Sequence, residues 1–265
     1  MDPQELLQDG QPAAALHALQ DLVRKDASNA KYRIFLFQLL SVMGEWRRAL
    51  TQLNVAGELD AGSLAMVQTY REAIQCEALR DAIFNGERAP LVFGEPPHWL
   101  AMLLEALKAD AAGEPERAAA ARARAFEAAP AGAGTIDGQR FAWMADADQR
   151  LGPVLEAIVN GRYFWIPMQR IRRIEFDAPA DLRDAVWMPA TFTWTNSAQT
   201  VGLVPTRYQG TTASADGALL LARRTEWSGQ GGIGQRMLAS DAGEYALMDV
   251  RVIEFDDTFG EQHDG

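Results

Sequence analysis

The sequence predicts a two-part α+β protein, a helical-repeat half over residues 1–150 followed by a compact, mostly β domain over 151–265. Three observations predict it. Apolar residues in the first half recur at helical spacing, a Gly–Ala phrase returns after 34 residues, and beyond Gly161 the hydrophobic period falls to two.

The helices come first. In "QPAAALHALQDLVRKD", Leu16, Leu19, Leu22 and Val23 keep helical spacing and Pro12 stands near the helix start. "AKYRIFLFQLLSVMGEW" repeats the pattern through Ile34, Phe35, Phe37, Leu39 and Leu40. Runs that are apolar on several faces belong to helices sandwiched between neighbours. Gly10 is followed by Ala15, Leu16 and Leu19, and Gly44 by Ala49, Leu50 and Leu53. The 34-residue offset is the tetratricopeptide period, in which a small residue ends the first helix and an alanine lets the second pack closely. Gly113, Ala118 and a closing Pro130 offer a third copy, 69 residues beyond Gly44. The copy between them, in "AGELDAGSLAMVQTYREAI", keeps a helix but lacks the Gly–Ala pair. The first half is therefore expected to be a tetratricopeptide-like α-α superhelix, the alternative being a bundle with chance glycine spacing. "NGERAPLVFGEPPHWL" is predicted as a loop before a helix near Trp99, and "APAGAGTIDGQRFAWMADADQRLGP" as the inter-domain region. "LGPVLEAIVNG" is predicted as a helix that Gly161 ends in a left-handed cap.

Strands follow. "RYFWIPM", "RRIEF", "ATFTW", "QTVGLV", "ALLLARRTEW" and "YALMDVRVIEF" are rich in aromatic and branched residues and bounded by Pro, Gly, Asn or Asp. Tyr163–Ile166 is expected to found the sheet, with Tyr163 and Trp165 on one face and Phe164 and Ile166 on the other. "APADLRDAVW" can hold one short helix, and the acidic tail "DDTFGEQHDG" is expected to fray. A closed barrel and an open sheet both remain compatible with these strands.

Composition excludes several functions. The net charge is −11 and both halves are acidic, which repels phosphate backbones and argues against nucleic acid as partner. No apolar run is long enough for a membrane span, and "MDPQELLQDG" is no secretory signal, so a cytoplasmic protein is expected. The single cysteine, Cys76, sits in a helical run and reads as core. His17, His98 and His263 are scattered, without metal-ligand spacing, and neither a nucleophile elbow nor a phosphate loop occurs. "GQGGIG" matches the dinucleotide fingerprint through Gly229, Gly231 and Gly234, but no helix can follow it directly, so it reads as a glycine loop between strands. The acids Asp177, Asp181 and Asp184 read as helix-start capping and an acidic loop, and Asp146 with Asp148 as a second small cluster. No catalytic group, cofactor or metal is expected.

What remains is a scaffold for protein contacts. Arg162, Arg170, Arg172 and Arg173 lie within twelve residues beside a run of rings, and arginine and tryptophan are favoured anchors of interfaces. The phrases "NGRYFWIP", "LRDAVWMPA", "VPTRYQGT", "RRTEW" and "GIGQRML…GEYALMDVRVIEF", in this order, resemble the ImpE/SciE family, also called TagJ, of type VI secretion accessory proteins. The resemblance extends to the helical half. It implies a non-enzymatic cytoplasmic accessory, associated with the small subunit of the contractile sheath and with the AAA+ unfoldase ClpV that recycles contracted sheath. No catalytic residues carry over. The candidate partner-binding residues are Tyr163, Trp165, Arg170, Arg172, Arg173, Trp187, Arg207, Tyr208 and Trp227. A short amphipathic segment of the sheath subunit is the expected ligand, with a helix-in-groove mode natural for the repeat. Two other readings stay open: a small-molecule enzyme or ligand sensor with a pocket in the β half, and a general chaperone.

Overall fold

The computed structural model describes residues 2–229 and 231–256. Of the tail expected to fray, 256–265, Asp256 is described and pairs with Arg140, and 257–265 lie outside the described residues. Helices α1 (Pro3–Gln8) and α2 (Pro12–Lys25) form the first antiparallel pair, and α3 (Ala30–Val42) and α4 (Trp46–Leu59) the second. Gly10 and Gly44 turn the chain between partners with φ of 73° and 72°, a conformation that glycine adopts without a Cβ penalty. Ala15 and Ala49, the recurring small residues, are fully buried where the helices meet. The degenerate copy is one long helix, α5 (Leu64–Phe84), and the third pair is α6 (His98–Ala111) with α7 (Pro115–Ala128), turned at Gly113.

Between α5 and α6 the chain does more than loop. Residues Leu91–Val92 form a two-residue strand, β1, parallel to Phe164–Trp165, so the helical half supplies an edge of the sheet. The stretch read as inter-domain carries β2 (Gly134–Ile136), β3 (Gln139–Phe141) and β4 (Met144–Asp146). Then follow β5 (Val154–Val159), β6 (Arg162–Pro167), β7 (Ile171–Phe176), β8 (Trp187–Trp194) and β9 (Gln199–Pro205). A short helix α8 (Gly217–Leu220) precedes the hairpin β10 (Thr225–Ser228) and β11 (Gly231–Gly234). Last come β12 (Met237–Ser240), β13 (Glu244–Ala246) and β14 (Val252–Phe255). Nine strands make one sheet in the order β1-β6-β5-β9-β8-β7-β14-β2-β3, and β13-β12-β4 form a small second sheet.

Several expectations are corrected here. Val154–Val159 is a strand, and Asn160–Gly161, both with positive φ, are the two central residues of a β-hairpin turn to β6. All six residues of β5 are buried. A strand covered on both faces shows no alternation, so its apolar run looks like a helix. β6 is therefore not the founding strand. Likewise, the Ala218–Leu220 part of "ALLLARRTEW" is helical, nucleated by Asp216, whose carboxylate accepts from the Ala218 and Leu219 amides. The glycine run of "GQGGIG" is itself strand β11, pairing Gly231 with Ser228. Asp181 and Asp184 do form a capping box at a short 3-10 helix, Leu182–Ala185.

The sheet separates two cores. On β5, Val154 and Ile158 join Tyr163, Trp165 and Trp187 against the helices. Leu155, Ala157, Val159 and Ile166 face a second core with Ile174, Phe192, Met188 and Ile253.

Candidate functional site

The seam between helices and sheet is where the sequence-predicted residues converge. Trp187 is wholly buried, its ring 5.9 Å from that of Trp46 on α4 and 5.7 Å from that of Tyr70 on α5. Tyr70 touches Phe37 of α3, and Trp165 packs on Phe84 of α5. The Arg183 guanidinium lies 4.8 Å over the Tyr70 ring. Helices α3 to α5 thus close around the chain's own indoles, where a repeat protein of this type would otherwise offer a groove.

Beneath these rings runs a chain of buried charges. Glu156 of β5, wholly buried, accepts from Arg80 of α5 through Nε at 2.6 Å and Nη2 at 3.1 Å. It also accepts from the Tyr163 hydroxyl and from Arg236. Trp165 Nε1 donates to that hydroxyl at 3.0 Å. Arg236 reaches on to Asp146, which accepts from the Tyr208 hydroxyl at 2.9 Å and from the Asp148 amide at 2.8 Å. Glu77 of α5 takes the Trp187 Nε1–H at 2.8 Å. Every named side chain is placed by a helix or strand rather than a free loop except Tyr208 and Arg236, which flank β9 and β12.

Burial sets the electrostatics. It pushes the Glu156 carboxyl up, but the Arg80 and Arg236 guanidiniums outweigh it and hold that carboxyl down to about 2. Burial pushes Asp146 up to about 6 against the pull of Arg236, and raises Glu77 as well. The Cys76 thiol is pushed up to about 12 by burial and then by Glu77, so it carries no nucleophile. A depressed folded pKa means stability that is complete above the unfolded value of 4.5 and lost as pH falls toward 2. For Glu156 the loss is on the order of 3 kcal/mol across that window. Urea unfolding measured between neutral pH and pH 3 should show about 2 kcal/mol of it, and the Glu156→Gln variant should lack that part of the slope.

The network's chemistry is structural. Its donors and acceptors answer one another, and the cavity beside Glu77, Arg80, Arg207 and Trp46 is about 10 Å³, about one water in size. No substrate fits there. Among the described residues no group of three or more His, Cys, Asp or Glu is placed to hold a metal ion.

Five of the nine candidate partner-binding residues lie in the interior. Tyr163, Trp165, Trp187, Arg207 and Tyr208 are each less than a tenth exposed and face the seam or its flank. Alternation along β6 was readable; that helices cover the face bearing Tyr163 and Trp165 was not. Arg207 donates to the Ser41 and Val42 carbonyls at the end of α3. The arginine cluster does stay near the surface, but with partners. Arg173 bridges Glu254 across the sheet and Glu175 on its own strand, Arg170 donates to the Glu95 carbonyl at 3.2 Å, and Arg162 stacks on Phe164. Arg172 and Arg173 border a shallow groove of about 400 Å³ with Thr135, Thr193 and Glu254. Trp227 alone among the candidate rings is half exposed, on β10, 5.5 Å from the Tyr208 ring. Arg80, Glu156 and Arg236 went unread; the one signal was a lone carboxylate in the apolar run "VLEAIV".

Fold and seam define a helical-repeat protein joined through a buried ionic network to a sheet domain that fills the repeat's inner face. The ImpE protein profile matches residues 138–254, and a tetratricopeptide repeat profile matches residues 6–74. The chain is 54% identical over 259 residues to the type VI secretion system accessory component TagJ of Pseudomonas aeruginosa, a match covering 97% of this chain and 92% of that one. The chain belongs to the ImpE family. The crystal structure of protein VPA1032 from Vibrio parahaemolyticus shares the fold, with a TM-score of 0.85 at 21% identity, covering 96% of this chain and 97% of that one.

Proposed function

We propose that the protein is a non-enzymatic accessory of type VI secretion that binds a short segment of the sheath's small subunit and assists or tunes sheath recycling by ClpV. The whole-length match to TagJ carries the accessory role. The packed seam supports an adaptor over an enzyme or ligand sensor, because the pocket such an activity needs has no room there. The segment's place is outside the repeat's inner face, which Trp187 and Trp165 fill. We assign its anchor to the β10–β11 hairpin, where Trp227 offers an indole beside the exposed Glu226, with the Arg172–Arg173 groove as a second contact.

Calorimetric titration of the intact chain with peptides from the sheath subunits tests this. Saturable binding is expected, and Trp227→Ala should weaken it by roughly tenfold, about 1.4 kcal/mol, while unfolding stability changes by no more than about 0.5 kcal/mol. Absence of binding by any sheath peptide would sink the proposal; binding indifferent to Trp227 would remove the hairpin from it.

A further inference from the structure

The helical pairs repeat a feature beyond their glycines. At each of three turns the glycine amide donates to the carbonyl three residues back, and the following amide to the carbonyl five before it. The pairs are Gly10 to Leu7 with Gln11 to Leu6, Gly44 to Ser41 with Glu45 to Leu40, and Gly113 to Asp110 with Glu114 to Ala109. Of the two carbonyls nearest the helix end, the one three residues before the glycine takes the glycine amide and can accept a second donor, and the one two residues before takes neither of these amides; both lie at the negative pole of the helix dipole.

In the first two pairs an arginine of the sheet domain fills that position in the same way. Arg223 donates Nη1 to Gln8 O at 2.9 Å and Nη2 to Leu7 O at 2.7 Å. Arg207 donates Nη1 to Val42 O at 2.7 Å and Nη2 to Ser41 O at 3.3 Å. Both forks take the carbonyls at the same two offsets from the glycine, with the same nitrogens. At the third turn the equivalent carbonyls belong to Asp110 and Ala111. A Cβ built on Gly113 would meet nothing within 4 Å, whereas the space at Gly44 is taken by Thr212. The arginines of α7 do not reach over: Arg117 holds Glu105 and Glu114, and Arg122 holds Asp110.

We propose that the end of α6, at the Asp110 and Ala111 carbonyls beside Gly113, is a third arginine socket, filled by a guanidinium of a partner protein. The inference does not depend on which protein that partner is. Two occupied copies in the same chain define the ligand's geometry. A planar guanidinium spans two successive carbonyls, and a lysine ammonium, a compact point charge, does not. Asp110 to Gly113 are exposed in the folded chain, so the socket stays open when the sheet domain is docked.

The test uses the intact, isotope-labelled chain and acetyl-Ala-Arg-Ala-amide as probe, followed by amide NMR shifts. Saturable shifts centred on Ala111 to Glu114 at millimolar peptide are expected, with smaller ones for the lysine peptide and none for the citrulline peptide. Glu114→Lys, at an exposed position, should weaken the arginine response by up to about fivefold through like-charge repulsion. Silent amides, or equal response to lysine and arginine, would overturn the proposal. Shifts of the same amides on concentrating the protein alone would place a second copy in the socket and overturn the assignment to another protein.

Discussion

Glu156→Gln is expected to lower the free energy of unfolding by about 4 kcal/mol. The substitution keeps the shape and removes the charge, so the wholly buried Arg236 and the nearly buried Arg80 lose the carboxylate that answers them both. Arg236 keeps Asp146 and Arg80 keeps Glu77, but each buried guanidinium then has one carboxylate where it had two, and under-compensated interior charge is what makes breaking a buried pair costly. Arg173→Ala is the control, since its partners Glu175 and Glu254 are half exposed and pairs of that kind contribute no more than about 1 kcal/mol. Urea unfolding followed by tryptophan fluorescence separates the two. Equal, small losses for both variants would mean that water reaches the seam and that the network is not a closed unit.

Trp187→Ala is expected to cost about 4 kcal/mol, at the middle of the range for emptying a large buried ring site. The effect should also be distinctive in kind. Trp187 touches Trp46 and Tyr70 across the seam and donates to Glu77, so its loss weakens the contact between halves more than either half itself. The wild-type chain should unfold with coincident far- and near-ultraviolet circular dichroism. In the variant, the sheet's aromatic signal should part from the helical signal. A single shared transition in the variant, shifted or not, would count against a seam that couples the halves through this ring.

Much of the helical half was legible because its signals are local. Gly10, Gly44 and Gly113 each end a helix within a few residues of the alanine that packs it, and one period relates the first two. The strands β6 to β8 were legible for a similar reason: rings and branched residues between turn formers. The failures share a physical cause, which is dependence on distant residues. Val154–Val159 looked helical because both of its faces are covered, one by α5 and one by the second core. Leu91–Val92 has no strand signature of its own and is defined by a parallel partner far along the chain. The candidate site divided along the same line. Tyr163 and Trp165 were placed on a common face, yet only tertiary packing decides whether that face meets solvent or another layer. Glu156 could not be matched to Arg80 and Arg236, since no spacing rule links residues so far apart.

The position of β14 in the sheet has a kinetic meaning. This strand pairs β7 on one side and β2 on the other, so it is an interior strand that follows every other described strand in sequence. Until it is made, β2 and β3 have no neighbour joining them to β7, and Ile136, Ile174 and Phe255 cannot meet in the second core. Sequential synthesis therefore yields a finished repeat long before a finished sheet. Non-local pairings of this kind are formed late and slowly. During that interval the second-core face of the sheet, with Ile174, Met188 and Phe192, is the surface that an unfinished chain exposes.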